Sequence, residues 1–123
     1  MAQDEIVLRV PAHATYARSV RMLATNLAVV ADLTIDDVED VRMAAEEGFI
    51  YAIATGQDRV EVAYTVEPAK LTMHFSLGKQ DPESVLSSEA LAYTRIILDG
   101  VVDDTNFSDG LTLIKEYHTE HDR

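Results

Sequence analysis

The side chains that could carry out acid-base chemistry are few, and two adjacent carboxylates are the strongest candidates. Glu46 and Glu47 lie in a stretch with helical periodicity, and neighbouring carboxylates can divide the roles of acid and base between them. Neighbours on a helix point about 100° apart, however. The favoured interpretation is therefore one solvated glutamate and one whose position is set by the fold.

Histidine and cysteine give little support for a metal or a nucleophile. His118 and His121 are three residues apart and could share a metal on a helix, but no third ligand is evident near them. His13 and His74 are isolated, and the absence of cysteine excludes disulfides and thiolate sites. We expect a solvated C-terminal tail, no metal site and no independent catalysis.

Length, composition and charge restrict the class of protein. The 123 residues, 47% of them apolar and 26% charged, suit one globular core, so residues 1–123 are predicted to form a single domain. A net charge of -12 would repel a phosphate backbone, which argues against nucleic acid as a partner. No apolar run approaches the roughly 20 residues that span a bilayer. We expect a cytoplasmic protein without a membrane partner.

The first half of the chain predicts a strand followed by two helices. Residues 5–10 alternate in the period-2 pattern of a half-buried strand, and residues 12–31 repeat apolar side chains at helical spacing. The predicted inward stripe of this first helix is Tyr16, Val20, Leu23, Leu27 and Val30. Thr34 with Asp37 resembles a capping box that opens a second helix, and Gly56 is placed to end it near residue 55.

The second half predicts a hairpin, a third helix and a closing hairpin. Two alternating runs, residues 60–66 and 71–77, flank a turn, and Asp81-Pro82-Glu83 opens a helical region with Leu91, Ile97 or Leu98, and Val101 inward. Residues 111–117 alternate as a last strand, with a shorter one near residues 103–107. The order β-α-α-β-β-α-β-β predicts an α/β two-layer sandwich, with three helices on one face of a mixed, mostly antiparallel sheet.

The second predicted helix carries a stretch that identifies a family resemblance. Val41-Arg42-Met43-Ala44-Ala45-Glu46-Glu47-Gly48-Phe49-Ile50-Tyr51-Ala52-Ile53, with Ile6-Val7-Leu8-Arg9-Val10-Pro11-Ala12 and Asp109-Gly110-Leu111-Thr112-Leu113, resembles the bacterial anti-sigma-factor serine kinases. These belong to the GHKL, or histidine-kinase-like, ATPase superfamily. The resemblance covers nearly the whole chain and implies the Bergerat fold with a shortened nucleotide lid.

The family's catalytic motif is only half present in this chain. The family holds Mg-ATP with Glu-x-x-x-Asn on the second helix, where the Glu is the general base and the Asn binds Mg²⁺. Glu47 matches the first position, but Tyr51 stands at the second. A neutral phenol is a poor ligand for a hard cation. Tyr51 either gates the former nucleotide cleft or, more simply, fills it.

The two remaining nucleotide motifs are also altered. The family's Asp-x-Gly-x-Gly reads the adenine, yet Leu77 stands where its Asp is expected and only Gly78 remains. The glycine-rich loop that cradles phosphates corresponds to Ser87-Ser88-Glu89-Ala90-Leu91-Ala92-Tyr93, which contains no glycine. The resemblance therefore implies a degenerate kinase, a pseudokinase, with no ATP or magnesium cofactor.

Charge and the resemblance together suggest how a partner is bound. Residues 32–47 contain seven acidic residues and one arginine, whereas residues 6–31 contain Arg9, Arg18 and Arg21 without an acid. Two solvated helix faces would explain this equally well. In the family the arginine of the first helix grips the sigma factor and its antagonist, which singles out Arg18; the acidic surface would suit a basic sigma-factor segment.

The sequence thus predicts an anti-sigma-like regulator that binds a sigma factor, its anti-anti-sigma antagonist, or both, and masks the partner's surface. The resemblance also implies a homodimer. Two alternatives stay open: an active ATP-dependent serine/threonine kinase that uses Glu47 as base, and a homodimeric structural domain without a sigma partner.

Overall fold

The computed structural model describes residues 3–117, which form five strands and three helices. The strands are β1 (Asp4–Pro11), β2 (Arg59–Glu67), β3 (Lys70–Phe75), β4 (Asp104–Asn106) and β5 (Leu111–Glu116). The helices are α1 (Ala17–Val30), α2 (Ile35–Ala54) and α3 (Ser88–Val101). Short 3-10 turns at Ala14–Tyr16 and Pro82–Ser84 precede α1 and α3. The predicted order of elements is confirmed.

The strands form one sheet in the order β1-β2-β3-β5-β4, and every neighbouring pair is antiparallel. The prediction of a mixed sheet was wrong. A single crossover helix between paired strands gives a parallel pair. Here two elements, α1 and α2, separate β1 from β2, and two elements, α3 and β4, separate β3 from β5. The second intervening element reverses the chain direction again, so each of these strand pairs is antiparallel. The coarser prediction of a small α/β domain holds.

The buried face of the sheet is apolar. Its inward side chains alternate along each strand, as in Val60, Val62, Tyr64 and Val66 of β2 and Leu71, Met73 and Phe75 of β3. They pack into one core with the buried residues of α1, α2 and α3. The opposite face carries Val7, Ala63, Thr72, His74 and Ile114, which are exposed or half-buried.

Helix α1 departs from its prediction at its start and along its buried stripe. It begins at Ala17, since Pro11 still belongs to β1 and the Ala12 N–H continues this pairing by donating to the Asp58 carbonyl. Tyr16 and Val30, predicted to lie inward, are 38% and 62% exposed. Small residues are buried instead, namely Ala24, Ala28 and Ala31 beside Val20 and Leu27. Alanines permit close approach of α2, which turns the helix away from the predicted stripe.

Helix α2 begins and ends as predicted. The Asp37 N–H donates to Thr34 Oγ1 at 3.1 Å, and the Thr34 N–H donates to Asp37 Oδ2 at 3.4 Å. This reciprocal capping box satisfies two of the free donors at the helix start. Gly56 follows the helix with φ of +80°, a left-handed conformation that glycine adopts without strain.

An ion cluster fixes the start of α2 to the last strand. Lys115 lies on the inward side of β5, where its Nζ is 2.9 Å from Asp40 Oδ2 and 3.7 Å from Asp37 Oδ1. The side chain of Asp37 is fully buried and that of Lys115 nearly so. The same carboxylate therefore caps α2 and faces the cation of β5.

The region of α3 begins later than predicted. Asp81-Pro82-Glu83 forms only the 3-10 turn, and α3 itself starts at Ser88, where Ser87 Oγ accepts from the Ala90 N–H at 3.1 Å. Of the predicted stripe, Leu98 and Val101 are buried, while Leu91 and Ile97 are half-buried. Among residues 3–117, no helix has both the length and the apolar character needed to cross a membrane.

Candidate functional site

Glu47 and Tyr51 face α3 from one side of α2, because four residues make about one helical turn. Glu47 Oε1 accepts a hydrogen bond from Thr94 Oγ1 of α3 at 3.0 Å, and Thr94 is buried. The carboxylate predicted as a vestigial general base thus has a partner inside the protein, and the hydrogen bond ties α2 to α3.

Tyr51 packs against a second aromatic ring. Its ring centroid lies 5.2 Å from that of Phe107 at an interplanar angle of 61°, an edge-to-face contact. The Arg95 guanidinium lies 5.2 Å from the centroid of the same Phe107 ring. The position at which the family places a magnesium ligand is therefore part of an aromatic and cationic stack.

The loop that contains Leu77 and Gly78 docks on the end of α2. The Gly78 N–H donates to Thr55 Oγ1 at 2.7 Å, and the Gln80 N–H donates to the Thr55 carbonyl at 2.9 Å. A Cβ at position 78 would lie 2.2 Å from the Thr55 carbonyl oxygen, so only glycine permits this approach. Leu77, just past the end of β3, packs half-buried against the core.

A cavity of about 390 Å³ remains beside Tyr51, between α2 and α3. Its lining includes Leu91, Arg95, Asp81 and Glu83. The volume lies at the lower end of the range for small-molecule sites, about 300–1,000 Å³. Two acidic residues and one arginine of the lining give the cavity mixed charge, and the Arg95 guanidinium also stacks on Phe107.

Glu46 points to a different helix from Glu47. It forms an ion pair with Arg21 of α1, on the side of α2 away from Thr94. The two adjacent carboxylates thus contact different elements and do not form an acid-base pair, which agrees with the favoured interpretation of the sequence.

A basic groove lies between α1 and α2. It has a volume of about 340 Å³ and is lined by Arg18, Arg21, Met22, Thr25 and Arg42. We call it the Arg18 groove. The Arg42 guanidinium donates hydrogen bonds to the Glu39 carboxylate, with Nη2 3.0 Å from Oε1. These hydrogen bonds, and after them the negative charge of Glu39, raise the pKa of the Arg42 guanidinium. Within residues 3–117, the exposed Arg18 makes no ion pair, so its donors face solvent.

The histidines stay apart. His74 Nε2 contacts the Asp109 carbonyl oxygen, and His13 lies exposed before the first 3-10 turn. His118 and His121, for which the sequence favoured a solvated tail over a shared metal, lie outside the described residues. Across residues 3–117, no group of three or more histidine or acidic side chains is arranged to hold a metal ion.

Sequence reasoning missed three residues of the site. Thr94 and Arg95 are polar residues of the third helix to which the sequence analysis gave no role, and Phe107 lay in a segment predicted only as an uncertain strand. The sequence could have indicated the burial of Thr94, because it lies four residues before Leu98 and therefore on the helix face that the core covers.

Comparison of the chain with models of protein families and with curated proteins finds no match.

Proposed function

We propose that this chain is a cytoplasmic protein-binding module, an anti-sigma-like regulator that masks the surface of a sigma factor or of its antagonist without binding ATP. The single observation that carries the proposal is the state of the former nucleotide cleft. Glu47 is bonded to Thr94, and Tyr51 is packed on Phe107. Both positions that would serve as general base and magnesium ligand in the kinase family are engaged in contacts with other side chains of this chain.

The loop chemistry supports the same conclusion. Gly78 is required by the close approach to Thr55, so its presence needs no nucleotide to explain it. The cavity beside Tyr51 is lined by Asp81 and Glu83 against the single arginine Arg95, so a triphosphate would meet more negative than positive side chains there.

The Arg18 groove is the surface proposed for the partner. Arg21 and Arg42 of this groove are paired with Glu46 and Glu39, whereas Arg18 makes no ion pair within residues 3–117, and Met22, 58% exposed, adds an apolar contact. A guanidinium whose donors face solvent can form a two-point hydrogen-bonded pair with a carboxylate. The groove therefore suits an acidic segment with an apolar residue, in keeping with the role that the sequence suggested for the Arg18 guanidinium, while the acidic surface of residues 32–47 would suit a basic segment.

Calorimetric titration tests the loss of nucleotide binding. We expect no saturable heat with Mg-ATP or Mg-ADP up to about 1 mM, the upper end of ordinary substrate affinities. Saturable binding at micromolar concentration, together with a serine phosphorylation activity that Glu47→Gln abolishes, would instead favour the active kinase.

Binding to purified sigma factors and their antagonists tests the partner surface. Arg18→Ala should weaken capture at least about tenfold, and Arg18→Lys should recover little because an ammonium lacks the planar fork. Glu47→Gln should bind as the unchanged protein does. Arg59→Ala removes an exposed arginine of β2 outside the groove and is the matched control. Equal loss with the Arg59 variant, or no loss with the Arg18 variant, would contradict the proposed groove.

A further inference from the structure

A cavity of about 580 Å³ lies at the end of the sheet that carries the turn between β2 and β3. It is formed by the first residue of β1, the end of α1 with the two residues after it, residues 66–69, and Tyr117 just past β5. Its volume falls within the range of about 300–1,000 Å³ for small-molecule sites. Its lining residues within 3–117 are distinct from those of the Arg18 groove and of the cavity beside Tyr51. We call it the end cavity.

Backbone hydrogen bonds hold the walls of the end cavity in place. Ala69, in the turn, has a φ of +64°, and its N–H donates to the Ala31 carbonyl at 2.8 Å. The Ala69 carbonyl accepts from the Tyr117 N–H at 2.9 Å. The turn is therefore fixed to the end of α1 on one side and to the end of β5 on the other. A ligand would enter a preformed cavity without having to order these segments, which lowers the entropic cost of binding.

The lining of the end cavity is acidic. Among residues 3–117 it includes Asp4, Asp32 and Glu67 and no lysine or arginine. None of these three acidic side chains forms an ion pair within the described part of the chain. Asp4 lies opposite the buried Val66 in the ladder of β1 and β2, so it is on the side of the sheet that faces the helices. The negative charges of the lining are therefore available to a ligand.

Two neighbouring features leave this negative charge in place. Val30 and Ala31 line the cavity at the C-terminal end of α1, where a helix carries partial negative charge, and the last turn of α1 contains no basic residue. Lys70 follows the turn, but Leu71 after it is buried, so Lys70 alternates to the outer face of the sheet. There its Nζ lies 4.0 Å from Glu116 Oε1. The end cavity therefore favours a cation.

The lining also offers apolar and aromatic surface. Val30 is 62% exposed, Tyr117 is 46% exposed, and Pro68 adds an apolar ring. The face of a tyrosine ring attracts a cation, and an alkyl stem would cover the apolar side chains. A bare metal ion is a poorer match, because across residues 3–117 no three histidine or acidic side chains are arranged to hold one. These features together select a cationic group on an apolar stem.

We infer that the end cavity binds an organic cation, a primary ammonium or guanidinium group carried on an alkyl stem. The cationic group would lie near Asp4, Asp32 and the end of α1, with the stem against Val30 and Pro68. A free alkylamine and the side chain of a lysine or arginine in a bound peptide share this chemistry. The inference does not rest on the proposed function, because the Arg18 groove is a separate site.

Titration of the full chain with n-butylammonium, followed by the amide NMR signals of Ala31, Asp32 and Ala69, tests the site. We expect saturable shifts with a dissociation constant of about 1–10 mM at roughly 0.15 M salt. The neutral butan-1-ol, matched in length, should bind at least about fivefold more weakly. An acetylated peptide with one lysine between glycines distinguishes the two sources. Binding at least as tight as that of n-butylammonium assigns a peptide side chain, and weaker binding assigns a free amine.

Carboxylate variants test the electrostatic basis of binding. Asp32→Asn should weaken n-butylammonium binding at least about threefold, and asparagine also tolerates the positive φ of +65° at this position. Asp4→Asn should have a similar effect. Asp99→Asn, at an exposed position of α3 outside the cavity, is the matched control and should leave binding unchanged. Circular dichroism verifies that each variant is folded.

Three results would overturn the inference. They are an absence of saturable shifts up to about 50 mM, equal binding of butan-1-ol, and equal weakening by Asp99→Asn and Asp32→Asn. Each of these would leave the Arg18 groove untouched, because partner capture is measured separately.

Discussion

Lys115 gives the sharpest test of how the fold is held together, because its ammonium group is buried against carboxylates of another element. Its Nζ lies 2.9 Å from Asp40 and 3.7 Å from Asp37, whose side chain is fully buried. With an effective dielectric constant of about 20, charges 4 Å apart attract by about 4 kcal/mol. Removing one partner of a buried pair costs about 3–5 kcal/mol in measured cases.

We therefore expect Lys115→Met to lower the free energy of unfolding by about 3 kcal/mol, since methionine keeps much of the buried stem and removes the charge. Lys70→Met is the matched control, because Lys70 is 4.0 Å from Glu116 at an exposed site and its loss should cost less than about 0.5 kcal/mol. Urea denaturation followed by circular dichroism measures both.

The combination of Lys115→Met with Asp37→Asn isolates the charge interaction. Asparagine keeps an oxygen that can accept from the Thr34 N–H, so the cap survives while the buried charge disappears. The double variant should lose about 1–3 kcal/mol less of its unfolding free energy than the two single variants lose together. Additive losses, or a cost for Lys115→Met no larger than that of Lys70→Met, would refute the reasoning.

Three further predictions concern single positions. Thr34→Ala removes the side-chain acceptor of the capping box and should cost about 1 kcal/mol of unfolding free energy in the same denaturation assay. Gly78→Ala places a Cβ against the Thr55 carbonyl and should cost about 1–3 kcal/mol, whereas a neutral result would mean that the loop is not docked on α2. Burial raises the pKa of Tyr64, whose hydroxyl donates to the Val20 carbonyl. The pKa of tyrosine in the unfolded chain is about 10, so the buried neutral hydroxyl contributes its full stability below about pH 10. That contribution is lost as the pH rises further, because the unfolded chain then ionises first. Tyr64→Phe should flatten the alkaline fall in stability, measured as urea midpoints between about pH 9 and pH 11.

The candidate site could be predicted only in part. The spacing of Glu47 and Tyr51 placed them on one helix face, and the structure agrees. Their partners Thr94 and Phe107 come from segments more than 40 residues away, as the separation of 47 between Glu47 and Thr94 shows. No local pattern specifies which distant side chain will meet a given helix face.

The sequence by itself determined the elements, because local rules act within a few residues. The alternation of β2 and β3 follows from the two-residue period of a strand with one apolar face. The capping box of Thr34 and Asp37 and the helix end at Gly56 follow from local hydrogen bonding and backbone conformation.

Only the tertiary structure decided how these elements meet. Close packing of the α1 alanines against α2 left Val30 exposed, and the burial of Lys115 depends on two carboxylates that are distant in sequence. Both outcomes depend on which surfaces of the elements fit together in three dimensions. The type of a residue sets only its preference for the interior, whereas the neighbouring elements decide whether its side chain is covered.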